Sequence, residues 1–391
     1  MKVNQFLSTL TNLEKTRNFN VFKEYSLEEF KSVMNHFQLL ESSRNKLRIS
    51  IVGTNGKGST AFLLSQVFSR LEGNSPVGLY TSPHLIVQNE RIQVDGIMIS
   101  DEWIENFLNS FHADDLAKLR NLSYFEFFTL LSVFYFKSKE CKTEIYEAGL
   151  GGRLDATKLI NPEIVVLTKI GLDHTEILGS TEEKILHEKL LISGTNTRFL
   201  FTFKQSNKLM EIIKDFCNEK NIGLYVYDKT IQTDYLTFNR DFALFIANEI
   251  LKTKNKPPLG DTFFNSMHDV PGRMQVLRKN PPLIFDVGHN PSAIPYVLQS
   301  LQFLYPNEKN WSVCFGALKD KDVIKILEIL TASPIIKKVF QIVGQSWNIT
   351  TISHKKIKLI QEEDFLDSIP SEAGLILGSF RLYPPVKQNE F

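Results

Sequence analysis

The stretch Arg48-Ile49-Ser50-Ile51-Val52-Gly53-Thr54-Asn55-Gly56-Lys57-Gly58-Ser59-Thr60 organises everything around it. Its first five residues are a short β-branched run, and Ser59 to Leu71 carry a helical pattern. Glycines, a lysine and two hydroxyls therefore fall on a strand-to-helix turn. Backbone N–H groups at such a turn, with the helix N-terminus, can surround a polyphosphate. Lys57 adds a point charge for the β/γ oxygens, and Ser59 or Thr60 supplies the hydroxyl that a phosphate-bound Mg²⁺ uses. The match to G-x-x-x-x-G-K-[ST] is imperfect: Ile51 stands where the first glycine belongs, and Gly58 separates the lysine from the serine.

Outward from this unit the strand–helix alternation repeats. Val77–Tyr80, Thr143–Tyr146, Ile164–Thr168 and Phe199–Phe203 read as strands, with helical stretches at 101–111, 123–138, 182–192 and 206–220. Such alternation predicts an α/β fold with a mainly parallel sheet. Upstream, Phe6, Leu10 and Leu13 and then Phe30, Val33, Met34 and Phe37 carry helical spacing, and Ser26 with Glu29 matches a capping box. Downstream, a helix over Arg240–Leu251 runs into Lys252-Thr253-Lys254-Asn255-Lys256-Pro257-Pro258, which places a domain boundary between 255 and 275. Beyond it, strands at 283–285, 312–315, 338–342 and 375–377 and helices near 292–304, 321–330 and 361–368 make a second, smaller α/β domain. The division expected is 1–265 and 266–391.

The length of 391 residues suits two domains, since one hydrophobic core rarely organises so many. With 42% hydrophobic and 23% charged residues the chain has the composition of a globular protein. Lys+Arg 45 against Asp+Glu 44 gives a net charge of +1, so nothing in the overall field points to nucleic acid, and an anion site must come from local placement. Cys141, Cys217 and Cys314 are widely spaced and form no CxxC pair, which fits a reducing cytoplasm. No signal-peptide pattern opens the chain, and the most apolar stretch, Phe125–Phe136, is interrupted by Glu126, Thr129 and Ser132. It falls short of the roughly 20 residues of a membrane span and reads as a buried helix.

Further motifs follow in order. Tyr80-Thr81-Ser82-Pro83-His84-Leu85 precedes Glu90-Arg91-Ile92, and Ser123-Tyr124-Phe125-Glu126 opens a helix. Tyr146-Glu147-Ala148-Gly149-Leu150-Gly151-Gly152-Arg153-Leu154-Asp155-Ala156-Thr157 leaves a strand. Then come Leu172-Asp173-His174-Thr175, His187-Glu188-Lys189, Pro271-Gly272-Arg273 and Phe285-Asp286-Val287-Gly288-His289-Asn290. In kind, in order and over most of the chain these resemble the Mur ligase superfamily, specifically its folylpolyglutamate synthase and dihydrofolate synthase branch. The glycine-rich segment after Glu147 is the most specific of them.

The resemblance implies an N-terminal P-loop ATPase-like domain and a smaller, Rossmann-like C-terminal domain. It implies an ATP-dependent amide ligase that adds L-glutamate to a folate-type carboxylate, from tetrahydrofolate or dihydropteroate, through an acyl phosphate. ATP, two Mg²⁺ ions and small-molecule substrates follow from it, with no nucleic acid, no membrane and a monomeric chain. Activating a carboxylate by phosphorylation places negative charge around the γ-phosphate, which calls for Mg²⁺ and fixed cations.

Residue by residue, the resemblance implies ATP contacts from Thr54, Asn55, Gly56, Lys57, Gly58, Ser59, Thr60, Asn239, Arg273 and Asp286. Ser59, Ser82, Glu147 and His174 would hold metal; Glu147 ends an apolar strand, as a metal-holding acid should, whereas a lone histidine read by itself is more often structural. Lys189, by itself a solvent-facing charge on a helix, matches a lysine that the family carbamylates into a metal-holding anion. Here Leu190-Leu191-Ile192 follows it instead of Ala-Gly-Ile. Lys57, Lys189, Asp286 and His289 are the implied catalytic residues. Leu122, Ser123, Tyr124, Phe125, Arg153, Leu154 and Asp155 would receive the folate, through ring stacking by the aromatics or a carboxylate pair with Arg153, with core packing the less favoured alternative for Tyr124 and Phe125. Two other readings stay open: a ligase of the superfamily with a different acceptor, and a nucleotide-binding homologue without catalysis.

Overall fold

In the computed structural model, residues 2–12, 14, 25–40, 46–71, 73–253 and 255–388 are described; Leu13, expected on the first helix, lies outside them. The chain divides into two compact units. The first holds residues 1–229 and 241–267, the second 230–240 and 268–391.

In the first unit, β1 (Leu47–Val52), β2 (Val77–Tyr80), β3 (Ile92–Val94), β4 (Ile97–Met98), β5 (Thr143–Glu147), β6 (Ile164–Leu167), β7 (Phe199–Phe203) and β8 (Gly223–Tyr227) form one sheet. Its order is β4-β3-β2-β5-β1-β6-β7-β8, parallel except for the pairings of β3 with β2 and β4. The central strands are buried along their length, as strands covered by helices on both faces must be. Placing β1 between β5 and β6 means that three chain segments leave the same sheet edge side by side. Register makes this specific: Ile51 lies beside Glu147, and Val52 beside Leu167. Carboxyl ends of neighbouring strands in such a sheet are where α/β proteins bind ligands.

The expected buried helix is present as Tyr124–Ser138, apolar almost all round. Ser123 caps it in a full capping box: Ser123 Oγ accepts from Glu126 N–H, and Glu126 Oε2 accepts from Ser123 N–H at 2.8 Å. The other expected box does not form. The helix there runs Glu28–His36, and Ser26 Oγ accepts from Glu28 N–H at 3.2 Å instead.

The second unit holds β9 (Gln275–Lys279), β10 (Pro282–Asp286), β11 (Trp311–Gly316), β12 (Ile336–Val343), β13 (Ile357–Gln361) and β14 (Gly374–Gly378), ordered β13-β12-β11-β14-β10-β9. Only β9 pairs antiparallel. The helix expected over 361–368 is a correction: Ile357–Gln361 is a strand on β12, followed by a single 3₁₀ turn, Glu362–Asp364. Its apolar residues do not fill one helical face, since only Phe365 there is buried. The helix expected at 240–251 is longer, Tyr235–Thr253, and carries residues of both units. Among the described residues no helix is long and apolar enough to cross a membrane.

Candidate active site

The phosphate-loop stretch folds as strand, loop and helix, with β1 ending at Val52 and the helix running Lys57–Ser69. Gly53 packs so closely on the segment after β6 that a Cβ there would lie 2.0 Å from Thr168 Oγ1. Gly56, at φ 89°, caps the helix in the left-handed conformation that glycine adopts without strain. Intrahelical bonding begins with Thr60 N–H to Gly56 O, so the amides of Lys57, Gly58 and Ser59 have no intrahelical acceptor. These amides and the positive end of a thirteen-residue helix make an anion-binding turn.

Thr54 has a different task. Its N–H donates to Lys169 O at 2.8 Å, while its hydroxyl donates to Gly171 O and accepts from Gly171 N–H. Asn55 N–H donates to the same Lys169 carbonyl. Both residues tie the loop to the segment after β6, and that segment leads to Asp173 and His174.

Glu147 is 5% exposed at the end of β5. Its Oε2 accepts from Ser82 N–H at 3.0 Å, and it faces the loop closely enough that a Cβ on Gly58 would lie 3.1 Å from the same oxygen. Ser59 Oγ and Thr60 Oγ1 are buried with no hydrogen-bond partner in the structure. A buried hydroxyl without a partner is costly, so Ser59, one residue beyond the glycine that Glu147 faces, fits a divalent cation on an adjacent phosphate. Among the described residues no three His, Cys, Asp or Glu side chains are gathered as a metal cage, here or elsewhere, so a cation at this loop would rest on Glu147, hydroxyls and phosphate oxygens. His174, at φ 49°, caps the short helix Thr175–Leu178, with its Nε2 3.9 Å from Asp173 Oδ1.

Lys189 overturns its reading from the bare sequence. It sits on the last turn of the helix Glu182–Leu190, is 4% exposed, and its Nζ donates to Gly53 O at 2.8 Å. Burial, and then repulsion from Lys57, lowers its pKa from 10.5 to about 7. The structure thus brings Lys57, Glu147, Ser82, Ser59 and Lys189 to one loop.

The expected folate-side residues divide. Phe125 packs so closely over Gly149 that a Cβ there would lie 2.7 Å from its ring. Gly149 is two residues beyond Glu147, so this aromatic borders the loop-facing end of β5. Leu122 and Tyr124 are buried and Ser123 is the helix cap. Asp155 is turned inward: it accepts from Leu150 N–H, Thr157 N–H and Thr157 Oγ1, and burial raises its pKa. It holds the glycine-rich loop in shape. Arg153 pairs with Glu188 at 3.0 Å, beside Lys189 in sequence.

Asn239, Arg273, Asp286 and His289 belong to the second unit. Asp286, 1% exposed, accepts from the Tyr235 hydroxyl, Met274 N–H and Gly288 N–H; burial raises its pKa, against the pull of Arg273. His289 Nδ1 lies 2.9 Å from Val287 O. A carbonyl only accepts, so Nδ1 carries the proton, and in the neutral ring Nε2 is the basic nitrogen. Arg273 lies over the Phe380 ring, and Asn239 is 8% exposed on the helix Tyr235–Thr253. The sequence reading missed Arg91, Glu14, Asp173 and Tyr235; of these only Arg91 and Asp173 lay inside a quoted motif.

A phosphate loop at the middle of a mainly parallel sheet, a carboxylate turned onto it and a buried amine at its base define an α/β protein of the nucleotide-binding phosphate-loop class. Residues 51–247 match the family model described as Mur ligase middle domain, and residues 272–352 match Mur ligase, glutamate ligase domain. The dihydrofolate synthase/folylpolyglutamate synthase of Buchnera aphidicola subsp. Acyrthosiphon pisum is 33% identical over 348 residues, covering 83% of this chain and 80% of its own. The Bacillus subtilis protein of the same name is 32% identical, covering 72% and 74%. The bifunctional folylpolyglutamate synthase/dihydrofolate synthase of Yersinia pestis, solved with AMPPNP and Mn ion, superposes with a TM-score of 0.74 at 25% identity, covering 93% and 92%. The chain belongs to the Mur ligase family, in its folylpolyglutamate synthase and dihydrofolate synthase branch.

Proposed function

We infer that the protein is an ATP-dependent ligase joining L-glutamate to a folate-type carboxylate. The observation that carries this is the loop itself: Glu147 turned onto Gly58 beside the buried, unpartnered hydroxyl of Ser59. A folate carboxylate attacks the γ-phosphorus of ATP, releasing ADP and leaving an acyl phosphate. The glutamate amine then attacks the acyl carbon, phosphate departs with the C–O bond, and the amine proton is lost to a base. Lys57 and the amides of Lys57, Gly58 and Ser59 hold the phosphates. Ser59, Glu147, Ser82 and His174 would hold Mg²⁺, at two positions, where it supplies charge neutralisation. Phe125 and Tyr124 receive the acceptor ring, and Arg153 its carboxylate.

Lys189 is proposed to carry a carbamate. Attack on CO₂ requires a neutral amine, and a pKa of about 7 gives a substantial neutral fraction where an ordinary lysine has almost none. Carbamate formation releases a proton and turns the cation beside Lys57 into an anion. In the second unit, His289 is read as the basic group and Asp286 as the residue that sets the backbone at Met274 and Gly288; Asn239 and Arg273 are read as nucleotide contacts. We take the chain to act as a cytoplasmic monomer on small molecules, without nucleic acid or membrane, in two working parts, 1–265 and 266–391.

The test is direct. Purified protein is incubated with Mg-ATP, glutamate and either dihydropteroate or tetrahydrofolate, and ADP and product mass are followed. Turnover with at least one acceptor is expected, lost by about 10²-fold or more in Lys57→Ala and in Glu147→Ala while both variants stay folded. No turnover with either acceptor, or full activity in either variant, refutes the reading.

A further inference from the structure

Arg91 lies in none of the roles above, yet it is fully buried and touches several separate parts of the first unit. Its Nη1 and Nη2 donate to the two carboxylate oxygens of Glu14, at 3.0 and 2.5 Å, in a bidentate fork. Its Nε donates to His84 Nδ1 at 3.0 Å, which requires that nitrogen to be unprotonated. Its guanidinium lies over Tyr124, 5.1 Å from the ring centroid, and over Phe128 at 5.5 Å. A buried cation is retained only where partners satisfy it, and here they come from the N-terminal segment, the loop after β2 and the helix Tyr124–Ser138.

The same turn is held from other sides. Tyr124 N–H donates to Thr11 O at 2.9 Å, and the buried Tyr80 hydroxyl contacts Phe125 O at 3.4 Å. The loop after β2 continues from Ser82, whose N–H reaches Glu147. Arg91 therefore joins the residues beside the metal-facing carboxylate to the turn on which the acceptor ring is read to sit. Lysine could keep the charge but not the fork.

We propose that Arg91 is a positioning residue for the acceptor: through Glu14, His84 and the faces of Tyr124 and Phe128 it fixes the Leu122–Phe125 turn that receives the folate-type ring. This rests on the acceptor reading of Tyr124 and Phe125.

The experiment is steady-state kinetics on the full chain, with KM measured separately for the acceptor, ATP and glutamate. Arg91→Lys is expected to raise acceptor KM roughly tenfold while ATP and glutamate KM stay within about twofold. Glu14→Gln, made from the more exposed side of the pair, is expected to move acceptor KM the same way by less, and serves if Arg91→Lys does not fold. A merely structural role would lower kcat or active fraction and leave the acceptor KM unmoved; that result in both variants overturns the proposal, as does an equal rise in all three KM values. Tyr124→Ala separates the two layers. If it leaves acceptor KM unchanged, the acceptor reading of the turn falls and the proposal with it; if it raises acceptor KM while neither Arg91→Lys nor Glu14→Gln does, only the positioning proposal falls.

Discussion

Replacing Lys189 by methionine should change how stability responds to pH, and the size of the change follows from where the amine sits. Burial and the nearby Lys57 lower its folded pKa from 10.5 to about 7. Below about 7 both folded and unfolded chains carry the proton, and the folded state bears the full cost of a buried cation. Between about 7 and 10.5 the unfolded chain holds a proton that the folded chain does not, so stability rises with pH, by about 1.4 kcal/mol per unit at most. Over the whole window that amounts to about 5 kcal/mol. Between about pH 7 and about pH 9 it is about 2 kcal/mol, because the group is half titrated at the lower limit. For a unit of this size that corresponds to roughly 5 °C in Tm.

The assay is thermal unfolding of both proteins in CO₂-free buffer across that range. A methionine side chain cannot titrate, so the Tm of the native protein minus that of Lys189→Met should become more positive by roughly 5 °C from about pH 7 to about pH 9. Against this offset the variant also leaves Gly53 O without its 2.8 Å donor, a constant cost of about 1–3 kcal/mol that shifts the curves without tilting them. Tm curves that run parallel within about 1 °C would refute the depressed pKa. In ¹³C-bicarbonate, a carbamate resonance should appear in the native protein and be absent from Lys189→Met.

Other substitutions probe the same architecture. Gly53→Ala should cost about 2–3 kcal/mol by denaturant unfolding, because the new methyl meets Thr168 Oγ1 at 2.0 Å; a neutral result would mean the loop is not packed as described. Tyr235→Phe removes a donor that lowers the Asp286 pKa, so it should cost about 1–3 kcal/mol of stability at neutral pH, and if Asp286 acts ionised the acid limb of kcat/KM should move to higher pH; an unmoved limb argues against ionised Asp286 in the reaction. Asp155→Asn replaces one of the two oxygens that gather Leu150 and Thr157 by a donor, and should cost about 1–3 kcal/mol and loosen the glycine-rich segment, measured as faster amide exchange at Leu150 and Thr157.

The central sheet was readable because its strands are buried on both faces and so appear as short apolar runs between turns. The strands that escaped are edge or near-edge ones. β4 is two exposed residues, β9 has no buried residue and β13 only one; β8 escaped although Leu224–Tyr227 is an apolar run, because as an edge strand it is mostly half-buried. The helix expected at 361–368 failed for the related reason that Glu362, Glu363 and Asp364 favour a helical start, while backbone pairing of Ile357–Gln361 with β12 is invisible to local pattern. Within the site, Lys57, Ser59 and Glu147 were legible because contiguous motifs carry them. Arg91 with Glu14, separated by 77 residues, pairs only through tertiary structure.

Lys189 shows what kind of information a linear pattern lacks. Its neighbours His187 and Glu188 are polar, and Glu188 does face outward to Arg153 at 3.0 Å, so the helix end reads as solvated. One residue further, the roughly 100° step of the helix turns the next side chain inward, onto the carbonyl of Gly53. That contact exists because Gly53 lacks a side chain and the loop can press against Thr168, leaving its carbonyl directed at the incoming amine. The depressed pKa is thus a property of three segments meeting, the loop after β1, the segment after β6 and the end of Glu182–Leu190, and of none alone. It follows that the altered Leu190-Leu191-Ile192 sequence need not disable the lysine: Leu190 and Ile192 are fully buried, and they hold the helix end in the core from which Lys189 reaches the loop.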